Sequence, residues 1–254
     1  VRFLIEQEVD PDAGIQDGRT PLWVAATAGH ADVLRLLIEQ HVQVNLEAED
    51  GMQPLYMAAF RGYVDVAKIL LENQADPNAR APDGMTALHM ACAFGNIEMV
   101  ELLVEHQADV NAATKDGLTP LHAATVVNLV DIMRFLIQHQ SDVNAKALSG
   151  KSPLHISATN GCLDAIKLLI EQKADLGARD HNGCTPLCCA SREGQLEAVK
   201  LLVKELASSG TGLSVAPPRD DFHRTPLHWA VYRRHPVVAQ FLVESGTDTK
   251  IVDG

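Results

Sequence analysis

Apolar residues come in pairs of short runs along this chain. The first run, Leu22 to Ala28, ends at Gly29; the second, Ala31 to Gln40, places Val33, Leu36 and Leu37 at i, i+3 and i+4. That spacing lays one apolar stripe along a helix. Glycine suits the left-handed residue that stops a helix, so the two runs predict two short helices with a turn at Gly29. Polar residues gather ahead of the pair, in Asp17-Gly18-Arg19-Thr20-Pro21. Asp-Gly supplies a turn in which glycine takes a positive φ without a Cβ clash. Thr then stands where its oxygen accepts from an exposed helix N–H, and proline at the first helical position has no N–H to waste.

The chain repeats this unit. Its Thr-Pro-Leu core returns with small changes at Gln53-Pro54-Leu55, Thr86-Ala87-Leu88, Thr119-Pro120-Leu121, Ser152-Pro153-Leu154, Thr185-Pro186-Leu187 and Thr225-Pro226-Leu227. The intervals are 33 residues five times and then 40. A constant period of this length predicts stacked supersecondary units, each covering the open face of its neighbour, in place of one central core.

Seven copies in register resemble the ankyrin-repeat family, whose pattern D-x-D-G-x-T-P-L-H-x-A-A-x-x-G-H-x-x-V-x-x-L-L-x-x-G-A-D-V-N is best matched by Asp116 to Asn144. The resemblance implies an all-α solenoid in which each repeat is a β-turn finger followed by an antiparallel helix pair. It gives one repeat domain over 1–254, with a partial repeat over 1–16, repeats starting near 17, 50, 83, 116, 149, 182 and 220, and an inserted loop at 207–218. The chain opens and closes in mid-pattern, which suggests a segment of a longer array.

Several units depart from the pattern. Trp23 takes the usual His position, and Gln53 replaces the capping Thr, a loss that typically costs about 0.5–2 kcal/mol. Asn128 stands for the helix-ending glycine, a tolerated left-handed substitute. The loop Ala207-Ser-Ser-Gly-Thr-Gly-Leu-Ser-Val-Ala-Pro-Pro218 has a flexible composition ending in a stiff Pro-Pro. In the last unit His223 and Arg234 occupy two glycine positions. A side chain forced to positive φ costs roughly 1–2 kcal/mol, so the local geometry is expected to differ there.

Charge narrows the partners. The net charge is −12, against a nucleic-acid or anionic-membrane surface. Residues 1–116 hold 7 Lys/Arg against 19 Asp/Glu, while 117–254 hold 14 of each, so the excess acid lies in the first half and suits a partner with basic flanks. Five cysteines without framework spacing fit a reducing cytoplasmic or nuclear compartment, and no apolar run approaches the roughly 18 residues of a membrane span.

Candidate chemistry is sparse. His89, His122, His155 and His228 recur one per repeat and cannot converge on one metal or substrate; the resemblance implies hydrogen bonds within and between fingers. Cys184, Cys188 and Cys189 form one tight group, expected to be structural, with Cys184 as the alternative reactive thiol. No nucleophile elbow or phosphate loop appears. The expectation is therefore a non-catalytic, monomeric protein–protein interaction module, without cofactor or metal. Alternatives are a substrate-recruiting or regulatory segment of a ubiquitin ligase or kinase, a cytosolic channel domain, and a structural spacer.

The resemblance also implies a concave groove lined by finger residues and the two residues before the first-helix glycine. The matching positions are Glu47, Glu49, Met52, Phe60 and Arg61, then Arg80, Met85 and Phe94, then Lys115, Leu118, Val126 and Val127, then Lys146, Leu148 and Asn160. Met52, Phe60, Met85, Phe94, Leu118, Val126 and Val127 are large and apolar where polar residues would suffice, which points to a binding surface. A second cluster, Arg219, Phe222, Arg224, Tyr232 and Arg233, is basic and aromatic and suits an acidic partner. Asn111 and Asn144, each eight residues after a Leu in a Val-Asn pair, look like substrates of the asparaginyl hydroxylase that modifies this finger position.

Overall fold

A computed structural model describes residues 10–208 and 219–246. Among the described residues there are fourteen α-helices and no strand. They run in pairs: α1 (Pro21–Ala28) with α2 (Ala31–Ile38), α3 (Pro54–Arg61) with α4 (Val64–Glu72), α5 (Ala87–Phe94) with α6 (Ile97–Glu105), and α7 (Pro120–Val126) with α8 (Val130–Gln138). Then follow α9 (Pro153–Asn160) with α10 (Leu163–Glu171), α11 (Pro186–Arg192) with α12 (Leu196–Ser208), and α13 (Pro226–Tyr232) with α14 (Pro236–Glu244). None of these helices is long and apolar enough to cross a membrane. The expected partial repeat over 1–16 lies outside the described residues as far as residue 9.

Helices this short are marginal alone in water, so packing must hold them. The chain divides into two compact units, 1–123 and 124–254. In the first, α1, α3 and α5 pack side by side, as do α2, α4 and α6. Leu22, Leu55, Leu88 and Leu121, one per Thr-Pro-Leu unit, are at most 2% exposed, and Leu37, Leu70 and Leu103 seal the second helices. In the second unit α9, α11 and α13 pack in sequence, with α8, α10, α12 and α14 alongside. Leu154 and Leu187, then Leu136, Leu169, Leu202 and Leu242, fill the same roles there.

Finger-to-finger hydrogen bonds add register. Glu49 N–H donates to Asp17 O at 2.9 Å and Lys115 N–H to Asp83 O at 2.8 Å in the first unit. His181 N–H to Ser149 O and Asp221 N–H to Asn182 O, both 3.0 Å, repeat the contact in the second. An asparagine ladder runs behind the fingers: Asn78 Nδ2 donates to Gln107 O at 3.1 Å while its Oδ1 accepts from Asp109 N–H at 2.7 Å. Asn45 makes the same two bonds, to Gln74 O and from Asp76 N–H.

Local departures resolve individually. Gln53 makes no cap hydrogen bond to α3, and its Oε1 is buried without a protein partner. Asn128 takes φ 57°, as its substitution for glycine requires. The expectation of altered geometry at His223 and Arg234 does not hold: their φ values are 60° and 62°, a little below the glycines but in the same left-handed region. The stack fixes the turn more strongly than one side chain opposes it, so the strain is carried in place. The expected loop also begins later, because Ala207 and Ser208 continue α12; residues 209–218 lie outside the described ones.

Candidate partner-binding surfaces

The histidine position shows how each finger is tied to the next. Thr86 N–H donates to His89 Nδ1 at 3.2 Å, which leaves Nε2 to carry the proton and donate to Leu118 O at 3.0 Å. His155 does the same between Ser152 N–H and Cys184 O. Burial pushes the pKa of both imidazoles down, against the opposing pull of these backbone carbonyls. Trp23 replaces the histidine and keeps the bond, its indole N–H donating to Met52 O at 2.9 Å while Arg19 stacks on the ring at 4.6 Å. These side chains are spent on the stack and are unavailable for chemistry.

In the first unit, Phe60 and Phe94 stand next to each other at the ends of α3 and α5. Their ring centroids are 5.2 Å apart and the planes cross at 89°, an edge-to-face pair. They remain 38% and 61% exposed. Arg61 reaches over the Phe60 ring at 5.4 Å. Met52, Met85 and Leu118 are half-buried in the fingers, whereas Glu47, Glu49 and Lys115 are exposed. Arg80 is exposed but tied down, with Nη1 donating to Ala113 O at 2.6 Å, so it braces two fingers. Tyr63, absent from the sequence-based set, is also 38% exposed. Its ring lies over Gly29, where a Cβ would come within 3.0 Å, and only the pairing of a glycine with an aromatic one repeat later signals it.

In the second unit, Val126, Val127 and Leu148 are 55%, 47% and 63% exposed, and Lys146 and Asn160 are exposed as well. Asn160 Nδ2 donates to Val126 O at 3.4 Å, which ties α9 to the end of α7. Asn144 presents Oδ1 to Asp175 N–H at 2.8 Å, and Asn111 in the first unit is likewise exposed.

The aromatic and basic cluster is built around a carboxylate that the sequence reading left out. Asp220, with its side chain fully buried, accepts from Phe222 N–H, Arg224 N–H and Arg224 Nε, each at 2.9 Å, and from Trp229 Nε1 at 3.2 Å. Burial by itself pushes this carboxyl up, but the hydrogen bonds from Arg224 and Phe222 and the Arg224 charge outweigh it and hold the pKa down. Arg224 is sandwiched between the Trp229 ring at 3.9 Å and the Phe222 ring at 4.5 Å. Its charge is therefore committed inside the fold. Arg219 is half-buried; Phe222, Tyr232 and Arg233 face solvent.

Cys184, Cys188 and Cys189 are each at most 1% exposed and pack with Trp229. Burial pushes their thiols up to about 12, 11 and 11. The thiolate is the reactive form, so the alternative of a surface thiol at Cys184 fails on its burial. Among the described residues no three His, Cys, Asp or Glu side chains gather in a group that could hold a metal ion.

With the repeated helix pairs and finger bonds in view, comparison with protein families adds a direct match. The description "Ankyrin repeats (3 copies)" fits residues 1–81, 75–147 and 154–253. The chain belongs to the ankyrin-repeat family. Ankyrin repeats are generally protein–protein interaction modules, and the fold is typically non-catalytic. A search of curated proteins finds no match.

Proposed function

We propose that the first unit holds a peptide segment against Phe60 and Phe94, with Met52 and Met85 beside them and the carboxylates of Glu47 and Glu49 facing basic flanks of the partner. The observation that carries this is the exposed edge-to-face ring pair. Aromatic side chains concentrate interface energy, and an exposed pair already held in place by its helices loses little entropy on binding. Glu47 and Glu49 enter no ion pair among the described residues, so their charge stays available. In the second unit Val126, Val127 and Leu148, with Lys146 and Asn160, offer a similar apolar strip with less acid.

A peptide-display selection against the immobilised chain tests the reading. Enriched sequences should combine aromatic or aliphatic residues with Lys or Arg, and Phe60→Ala/Phe94→Ala should lose them while remaining folded, with an unfolding temperature lowered only by the loss of the ring pair. Equal capture by the variant would remove the ring pair from the site. We propose in addition that Asn111 and Asn144 are hydroxylation sites; peptide mass spectrometry showing neither residue oxidised in cells that contain the hydroxylase would retire this.

A further inference from the structure

The turn between α13 and α14 carries a cation that the rest of the array does not have. In the other repeats this position is Gly29, Gly62, Gly95, Asn128, Gly161 or Gly194, all at positive φ. Arg234 keeps the same left-handed backbone at φ 62° and so projects a long charged side chain where its counterparts project none or a short one. Strain of this kind is a reason to ask what the side chain does. Arg234 is exposed and makes no side-chain hydrogen bond or ion pair among the described residues. A cavity of about 430 Å³ opens beside it, lined by Glu193, Tyr232, Arg233, Arg234 and His235.

The charge in this cavity is unbalanced. Glu193 is its one carboxylate, and that group is already held by Arg192 Nε at 2.8 Å. Arg233 reaches it only at 3.8 Å, and Arg234 does not reach it. Two consecutive arginines, Arg233 and Arg234, therefore line this cavity and are exposed, together with Tyr232, which is 73% exposed.

We propose that this cavity receives an acidic peptide segment of a protein partner, with neighbouring Asp or Glu carboxylates on Arg233 and Arg234 and an adjoining apolar side chain on Tyr232. Guanidinium matches carboxylate in a bidentate fork, and the phenol ring gives apolar area at low entropic cost. The net charge of −12 repels a long polyanion at a distance, whereas a short acidic segment meets the local excess of arginine. The site lies in the second unit and is independent of the Phe60 and Phe94 reading.

The test uses the full chain and a fluorescein-labelled peptide of alternating Glu and Leu, followed by fluorescence polarisation at low and moderate salt. A Gln-Leu peptide and a single-stranded oligodeoxythymidine of equal length serve as comparisons. Arg234→Gly restores the residue used by most other repeats, so it should raise the unfolding temperature while weakening Glu-Leu binding about tenfold. Arg233→Gln should weaken binding by a similar factor, and Arg35→Gln, on α2, should not. A rise in unfolding temperature with unchanged peptide affinity would show that Arg234 is only a tolerated substitution and overturn the proposal. So would equal affinity for the Gln-Leu peptide, a preference for the oligonucleotide, or salt-sensitive self-association in place of peptide binding.

Discussion

Replacing Asp220 with Asn tests how the last described repeat is held together. The carboxylate takes four donors, two from backbone N–H groups on Oδ1 and two from Arg224 Nε and Trp229 Nε1 on Oδ2. Asparagine can keep the two backbone bonds by pointing its oxygen at them. Its amide then presents donors to two further donors, so both side-chain bonds are lost and the Arg224 charge has no partner. Hydrogen bonds to a charged group contribute about 1.5–3 kcal/mol each, but the Arg224 side chain is 35% exposed and recovers part of its share from water. The expected loss is about 2–4 kcal/mol, confined mainly to α13, α14 and their finger, because a repeat array is stabilised by nearest-neighbour terms.

Native-state hydrogen exchange reads this locally. The Phe222 and Arg224 amides and the α13 amides should exchange faster in Asp220→Asn, while amides of α1 to α6 stay unchanged. The pH profile fixes the sign. Asp220 titrates lower in the folded chain than in the unfolded one, so its contribution is full above the ordinary value of about 3.8 and is lost as pH falls through the folded pKa. Wild type should lose protection in this region below about pH 4, and the variant, already without it, should not. Equal exchange at neutral pH, or the same acid loss in both proteins, would show that the carboxylate is not what secures Arg224 and Trp229.

Other outcomes follow from single contacts. Trp23→Phe removes the indole donor to Met52 O, which keeps Ala48 N–H at 3.2 Å, and should destabilise the first unit by about 0.5–1.5 kcal/mol in urea unfolding, whereas unchanged stability would mean the bond is replaced. His223→Gly relieves a left-handed side chain at φ 60° and should stabilise by up to about 1 kcal/mol, the strain relieved less the entropy glycine adds to the unfolded chain; no gain would place the strain elsewhere. Cys184, Cys188 and Cys189 should react with a thiol reagent at pH 8 only after unfolding, and fast native labelling at any of them would contradict their burial. Burial lowers the His89 and His155 pKa values, so the unfolded chain binds more protons and stability should begin to fall as pH drops below about 6.5, more weakly in a His89→Gln variant; a flat profile from pH 7 to 5 would refute this.

Period and local chemistry make the architecture legible in the sequence. Thr-Pro starts, glycine stops and the Leu stripe each act within one repeat, so Pro21, Gly29 and Leu37 announce their roles from position alone. The exposed apolar residues Phe60, Phe94, Val126 and Val127 were also legible, because the family resemblance puts the two residues before the first-helix glycine on an open face. What each charged side chain does was not. Arg80 and Arg224 read as surface cations in the sequence, yet one braces two fingers and the other is enclosed between two rings on a buried aspartate. Those outcomes depend on atoms 33 residues away in one case and on the stacking of Phe222 and Trp229 in the other.

The sequence by itself determined that this protein is a row of like modules, because turn, helix start and helix stop are written in residues only a few positions apart. Only the tertiary structure decided which cations and rings remain free to meet a partner. A side chain's availability is set by what the neighbouring repeat places against it, and at His223 and Arg234 the stack kept a left-handed turn that the residues alone would not choose.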